Sequence, residues 1–101
     1  MKYKARVHSA RGKSLLAICD KELAGEVFSE GKAQLDLSTG FYDGEPMSAE
    51  SFKTRINEFD QINMVGNSII KLAKELKLIK ADQIITIAGI QHAQVINIKT
   101  E

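Results

Sequence analysis

The stretch Ile84-Ile-Thr-Ile-Ala-Gly-Ile-Gln-His-Ala-Gln-Val-Ile-Asn-Ile98 sets two β-branched runs on either side of a short segment holding Gly89, Gln91, His92 and Gln94. Branched side chains suit a pleated, half-buried surface, so the stretch reads as a hairpin with a polar tip that carries His92. Read outward from it, the chain becomes a sheet protein with helices placed between its strands.

The amino-terminal segment alternates without a slip: Lys2, Lys4, Arg6 and His8 point one way, Tyr3, Ala5 and Val7 the other. A period of two predicts a half-buried strand. Ser9–Lys13 then reads as a hairpin loop, with Gly12 free to take positive φ. Leu15–Cys19 is continuously apolar, which predicts a central strand covered on both faces and paired with the first. Asp20 is placed to cap a single helical turn that Gly25 ends. Val27 and Phe28 anchor the next segment, Gly31 marks a turn, and Ala33–Leu37 alternates as a short strand. The glycine-rich segment Ser38–Pro46 carries Phe41 and Tyr42, two rings expected to close over the core.

Helical spacing follows. Ser48 is placed as an N-cap, and Phe52, Ile56 and Phe59 share one face of a first helix. Ile62, Val65, Ile69, Leu72, Ala73 and Leu76 keep a 3.6-residue spacing, which predicts a second helix of about four turns beginning near Asp60 or Gln61, with a bend between the two. Gly66 falls inside that second helix, where it costs about 1 kcal/mol against alanine, and close packing against another backbone is the reason expected for it. The resulting order, two strands, a helical turn, a strand, a long loop, two helices and a final hairpin, predicts an α+β fold: a largely antiparallel sheet of about five strands with two main helices on one face.

The totals agree with one domain spanning residues 1–101. Hydrophobic residues make up 44% and charged residues 27%, values of a folding globular chain rather than a disordered one. The net charge of +1 hides a strong unevenness: residues 1–19 hold five bases and no acid, residues 20–60 ten acids and four bases, and residues 61–101 five bases and three acids. A polarised surface of this kind orients encounter with a charged partner. The lone Cys19 and the absence of an apolar leader or a run of roughly 20 apolar residues lead to the expectation of a soluble protein in a reducing cytoplasm.

Five short motifs carry a resemblance: Cys19-Asp-Lys-Glu-Leu23, Phe28-Ser-Glu-Gly31, Phe41-Tyr-Asp-Gly-Glu45, Asn63-Met-Val-Gly66 and Gly89-Ile-Gln-His-Ala-Gln94. In this order they resemble the archaeal family catalogued as domain of unknown function 424, over nearly the whole chain. A proline usually precedes the histidine of the last motif; Gln91 stands there in this sequence. The resemblance implies an archaeal, cytoplasmic protein linked to RNA and translation. It names no cofactor.

The basic strand supplies the first candidate site. Lys2, Lys4, Arg6 and His8 repeat at about 6.6–7 Å, twice the rise of a strand, close to the spacing of phosphates in an extended single strand. Arg11 and Lys13 prolong the track, although such a strip is also what the solvated face of a sheet presents. His92 and Gln94 supply the second, a directional contact to a base edge or phosphate; fixing the loop itself is the other use of such residues. The sequence contains no RNA-recognition consensus, Gly-x-x-Gly clamp or zinc-binding cysteine pairs. The reading is therefore an accessory RNA-binding protein without cofactor, recognising backbone charge, with RNA or a protein of the translation apparatus as partner and no membrane. Two alternatives stand beside it. One is a protein-protein adaptor using the acidic middle; the other is a small enzyme in which Asp20, Glu22, Glu30 or Glu45 converges on His92. A continuous RNA site requires the basic strand and the His92 segment on one face.

Overall fold

The alternation at the amino terminus becomes a long antiparallel pair. In this computed structural model, which describes residues 1–96, β1 (Tyr3–Ala10) and β2 (Lys13–Asp20) are joined by Arg11 and Gly12, at φ 54° and 75°. Two successive positive φ values give the type I′ turn whose twist matches that of its strands. A 3-10 turn at Lys21–Leu23 leads into a separate hairpin, β3 (Val27–Glu30) and β4 (Ala33–Asp36). β5 (Glu45–Met47) pairs with the start of β1.

Helix α1 (Ala49–Arg55) starts where expected, with Ser48 Oγ accepting from Ser51 N at 3.1 Å. β6 (Gln61–Val65) runs parallel to β2, helix α2 (Asn67–Glu75) follows it, and β7 (Ile85–Ile87) and β8 (Ile90–Ile96) close the described chain. The main sheet has the order β5-β1-β2-β6-β8-β7, and among the described residues β2–β6 is its one parallel pair. The α+β class and the mostly antiparallel sheet are as expected; the main sheet has six strands, with a two-stranded sheet beside it.

Three expectations are corrected. Gln61–Val65 is a strand and not the first turns of a long helix. Ile62, Val65 and Ile69 satisfy a helical period, but Gln61 and Asn63 alternate with Ile62 and Met64 just as well, and the slot between β2 and β8 supplies backbone partners on both sides. Gly66 is accordingly the hinge before α2 and not part of its interior. Its φ of 129° lies in a region that side chains other than hydrogen rarely adopt, and a Cβ there would strike the Asp20 carboxylate rather than another backbone. Asp20, in turn, does not cap the turn that follows it. Its two oxygens accept Ser68 N and Ile69 N, each at 2.9 Å, and so cap α2 from a different strand.

The sheet separates two apolar layers. Under α1 and α2, Tyr3, Ala5, Leu16, Ile18, Ile62, Met64 and Ala93 pack against Phe52, Ile69, Ile70 and Ala73. On the opposite side, Cys19, Val65 and Ile87 pack under Leu35, Leu37 and Phe28 from the small hairpin, with Tyr42 beside them. Around Cys19, β2 is thus covered on both faces, as its apolar run predicts.

Candidate nucleic-acid interface

Register decides which side chains share the helix-free face. Across β1, β2, β6, β8 and β7, one row holds Lys4, Cys19, Val65, His92 and Ile85. The next holds Arg6, Ala17, Asn63 and Gln94, and a third holds His8, Leu15, Gln61 and Ile96. The basic strand and the His92–Gln94 segment therefore lie on the same side of the sheet, with β2 and β6 between them. The first row is roofed by the small hairpin, whereas the other two run toward the Arg11–Gly12 turn.

His92 is not at a hairpin tip. The turn is Ala88-Gly89, at φ 53° and 80°, and His92 lies within β8 opposite Val65 and Ile85. The polar residues around it suggest a tip, but Ala88 and Gly89 make the turn and the amides belong to the strand. His92 is half-buried, and burial lowers its pKa, so the ring is neutral near pH 7. Gln94 is exposed in the middle row. Residues Asn97 and Ile98 of the same stretch lie outside the described residues.

The basic strand is partly occupied by the chain's own loop. Lys4 Nζ meets Asp43 Oδ1 at 3.2 Å, Arg6 donates to Gly40 O at 2.9 Å, and His8 Nε2 lies 2.9 Å from Phe41 O. Phe41 stacks on the His8 ring with centroids 4.3 Å apart and planes 14° apart, and Tyr42 meets Phe41 at 72°. Phe41 and Tyr42 were expected to close over the core; Tyr42 does so, while Phe41 instead lies on the basic strand. Lys2, Arg11 and Lys13 are exposed.

Two polar residues of β6 were overlooked because that segment read as helix. Gln61 Nε2 donates to Asn63 Oδ1 at 3.2 Å, which leaves Asn63 Nδ2 as a donor and Gln61 Oε1 as an acceptor on the open rows. The period-two alternation of Gln61-Ile-Asn-Met64 was the signal that could have found them.

The acids proposed for a histidine-carboxylate centre are dispersed. Asp20 lies on the helix side of the sheet, holding α2; Glu30 Oε1 accepts Ala88 N at 2.7 Å; Glu22 and Glu45 are exposed. Among the described residues no group of three His, Cys, Asp or Glu is gathered that could hold a metal ion. At the N-terminus of α2 the Asp20 carboxylate already occupies an anion's place, accepting Ser68 N and Ile69 N. A cleft of about 520 Å³ lies beside β5, between β1 and α1, and mixes Arg6 and Arg55 with Asp43 and Glu45. No helix among the described residues is long and apolar enough to cross a membrane.

Fold and face define a small α+β protein whose mixed sheet carries helices on one side and a half-roofed, polar and basic surface on the other. The chain belongs to the family described as Protein of unknown function (DUF424), whose model matches residues 8–98. It is similar in fold to a solved structure described as an uncharacterized conserved protein from Methanopyrus kandleri. That likeness has a TM-score of 0.80 at 23% identity and covers 98% of this chain and 94% of that one. No curated protein matches the sequence.

Residues of four of the five short motifs are joined in one network. Asp20 contacts Gly66, Glu30 holds the Ala88 turn, Asn67 Nδ2 donates to Gly89 O at 3.1 Å, and Asn67 Oδ1 accepts Gln91 N at 3.0 Å. This network ties α2, the small hairpin and the last hairpin together. Gln91 uses its N–H in that network, a bond proline could not make.

Proposed function

We propose that the protein is an accessory RNA-binding protein of translation or RNA metabolism, contacting RNA with the helix-free face of its sheet. The observation that supports this reading is the shared side of the two candidate segments: Arg6 and Gln94 stand in one row with Asn63 between them. Lys2, Arg11 and Lys13 supply exposed positive charge at the borders of that face, in a segment with no acid. Phosphate contacts of this kind position RNA and make affinity fall as salt rises.

The loop contacts narrow the phosphate track. Lys4, Arg6 and His8 have partners in segment 40–43, so Arg11, Lys13 and Lys2 carry the phosphate role, and Arg6 and His8 border the polar rows. The test is a titration with total cellular RNA at low and moderate salt, followed by backbone amide shifts. Shifts at Lys2, Arg11, Lys13, Asn63 and Gln94 that weaken as salt rises are the expected result. Unshifted amides at low salt overturn the reading.

A further inference from the structure

We infer that the face takes single-stranded RNA, with a base stacked on the Phe41–His8 pair and its edge read by Asn63 and Gln61. This rests on the RNA reading above and names its substrate class. Phe41 and His8 form a parallel stack at the edge of the open rows, and both rings are only half-buried. His8 shares its row with Gln61, and Asn63 is two residues along the same strand. An aromatic platform beside an amide pair holding one spare donor and one spare acceptor matches an unpaired base, which has a π-face and a free hydrogen-bonding edge.

The same arrangement disfavours a duplex. In A-form RNA the base faces are covered by their neighbours, the edges are paired, and the major groove is too narrow for side chains. A platform lying against a sheet then has nothing to stack with. Leu15 and Ile96, which lie on either side of Gln61 in the third row, extend the apolar floor; Ile96 is 76% exposed. Arg6, held by Gly40 O, fixes the loop that presents Phe41.

The test compares a fluorescently labelled single-stranded RNA of mixed sequence with the same strand annealed to its complement, at one low salt concentration. The full chain is measured with Phe41→Leu and Asn63→Ala variants. The single strand is expected to bind at least about tenfold tighter than the duplex. Phe41→Leu, which keeps an apolar side chain on the loop, is expected to weaken the single strand about tenfold, the scale of one base-aromatic stack, while leaving duplex binding unchanged. Asn63→Ala is expected to weaken it less. Equal affinity for strand and duplex, or a Phe41→Leu variant that melts like the parent and binds like it, overturns this inference and leaves the RNA reading standing. Binding of neither RNA overturns both.

Discussion

Asp20 and Gly66 form one device split between two strands. The buried carboxylate, 4% exposed, substitutes for the capping side chain that glycine cannot provide, and glycine leaves the space that the carboxylate fills. Removing the carboxylate in Asp20→Ala strands two N–H groups at the start of α2 and is expected to destabilise the protein by about 2 kcal/mol in urea unfolding. Gly66→Ala is expected to be worse, because it adds a Cβ at φ 129° and meets the carboxylate. In the Asp20→Ala background that second penalty should shrink, and the double-mutant cycle measures the coupling. Additive losses would show that the two residues act independently.

Cys19, next along β2, gives a pH dependence with a definite sign. Burial first, and then the Asp20 charge, push its thiol from 9.0 up to about 11. Burial likewise raises Tyr42 from 10.0 to about 12. Between pH 9 and 11 the unfolded chain releases the Cys19 proton while the folded chain keeps it, so stability falls as pH rises through that window. Unfolding midpoints measured from pH 8 to 11 are expected to fall less steeply in Cys19→Ala than in the parent, whatever the absolute loss from the smaller side chain. Parallel slopes would show that Cys19 does not contribute.

At the scale of elements, turns and strands were legible where one period stood alone, and not where two overlapped. β1, β2 and the cap at Ser48 follow from alternation, an unbroken apolar run and a single hydroxyl. β6 did not, because Ile62, Val65 and Ile69 fit a helix until the neighbouring strands are known. Losing β6 also hid Gln61 and Asn63, and with them the middle of the candidate face. The last hairpin was recognised but its tip misplaced, since Ala88 offers no sign of the φ of 53° it adopts. An alanine in the left-handed region costs roughly 1 kcal/mol, and Asn-Gly is the preferred pair for this turn. Ala88→Asn is therefore expected to raise stability by about 0.5–1 kcal/mol while keeping the backbone bond to Glu30. A lower thermal midpoint would contradict the turn assignment.

At the scale of the whole molecule, the uneven charge of the sequence is partly neutralised in three dimensions. The acidic middle segment lays Asp43 and the carbonyls of Gly40 and Phe41 against β1, so the five-base segment does not present an open track along its whole length. This changes which substitutions test RNA binding. Reversing Lys4 or Arg6 to glutamate would release the loop, and Lys4→Glu would also set an acid against Asp43, so lost binding would be mixed with lost structure. Arg11 and Lys13 lie at the exposed end of the hairpin, where such changes leave packing intact. Arg11→Glu with Lys13→Glu is expected to shift the thermal midpoint little, to weaken single-stranded RNA severalfold or more at low salt, and to flatten the dependence of affinity on salt, because fewer counterions are released. An unchanged salt slope would place the phosphate contacts elsewhere on the protein and separate the positive charge of the first nineteen residues from any RNA it binds.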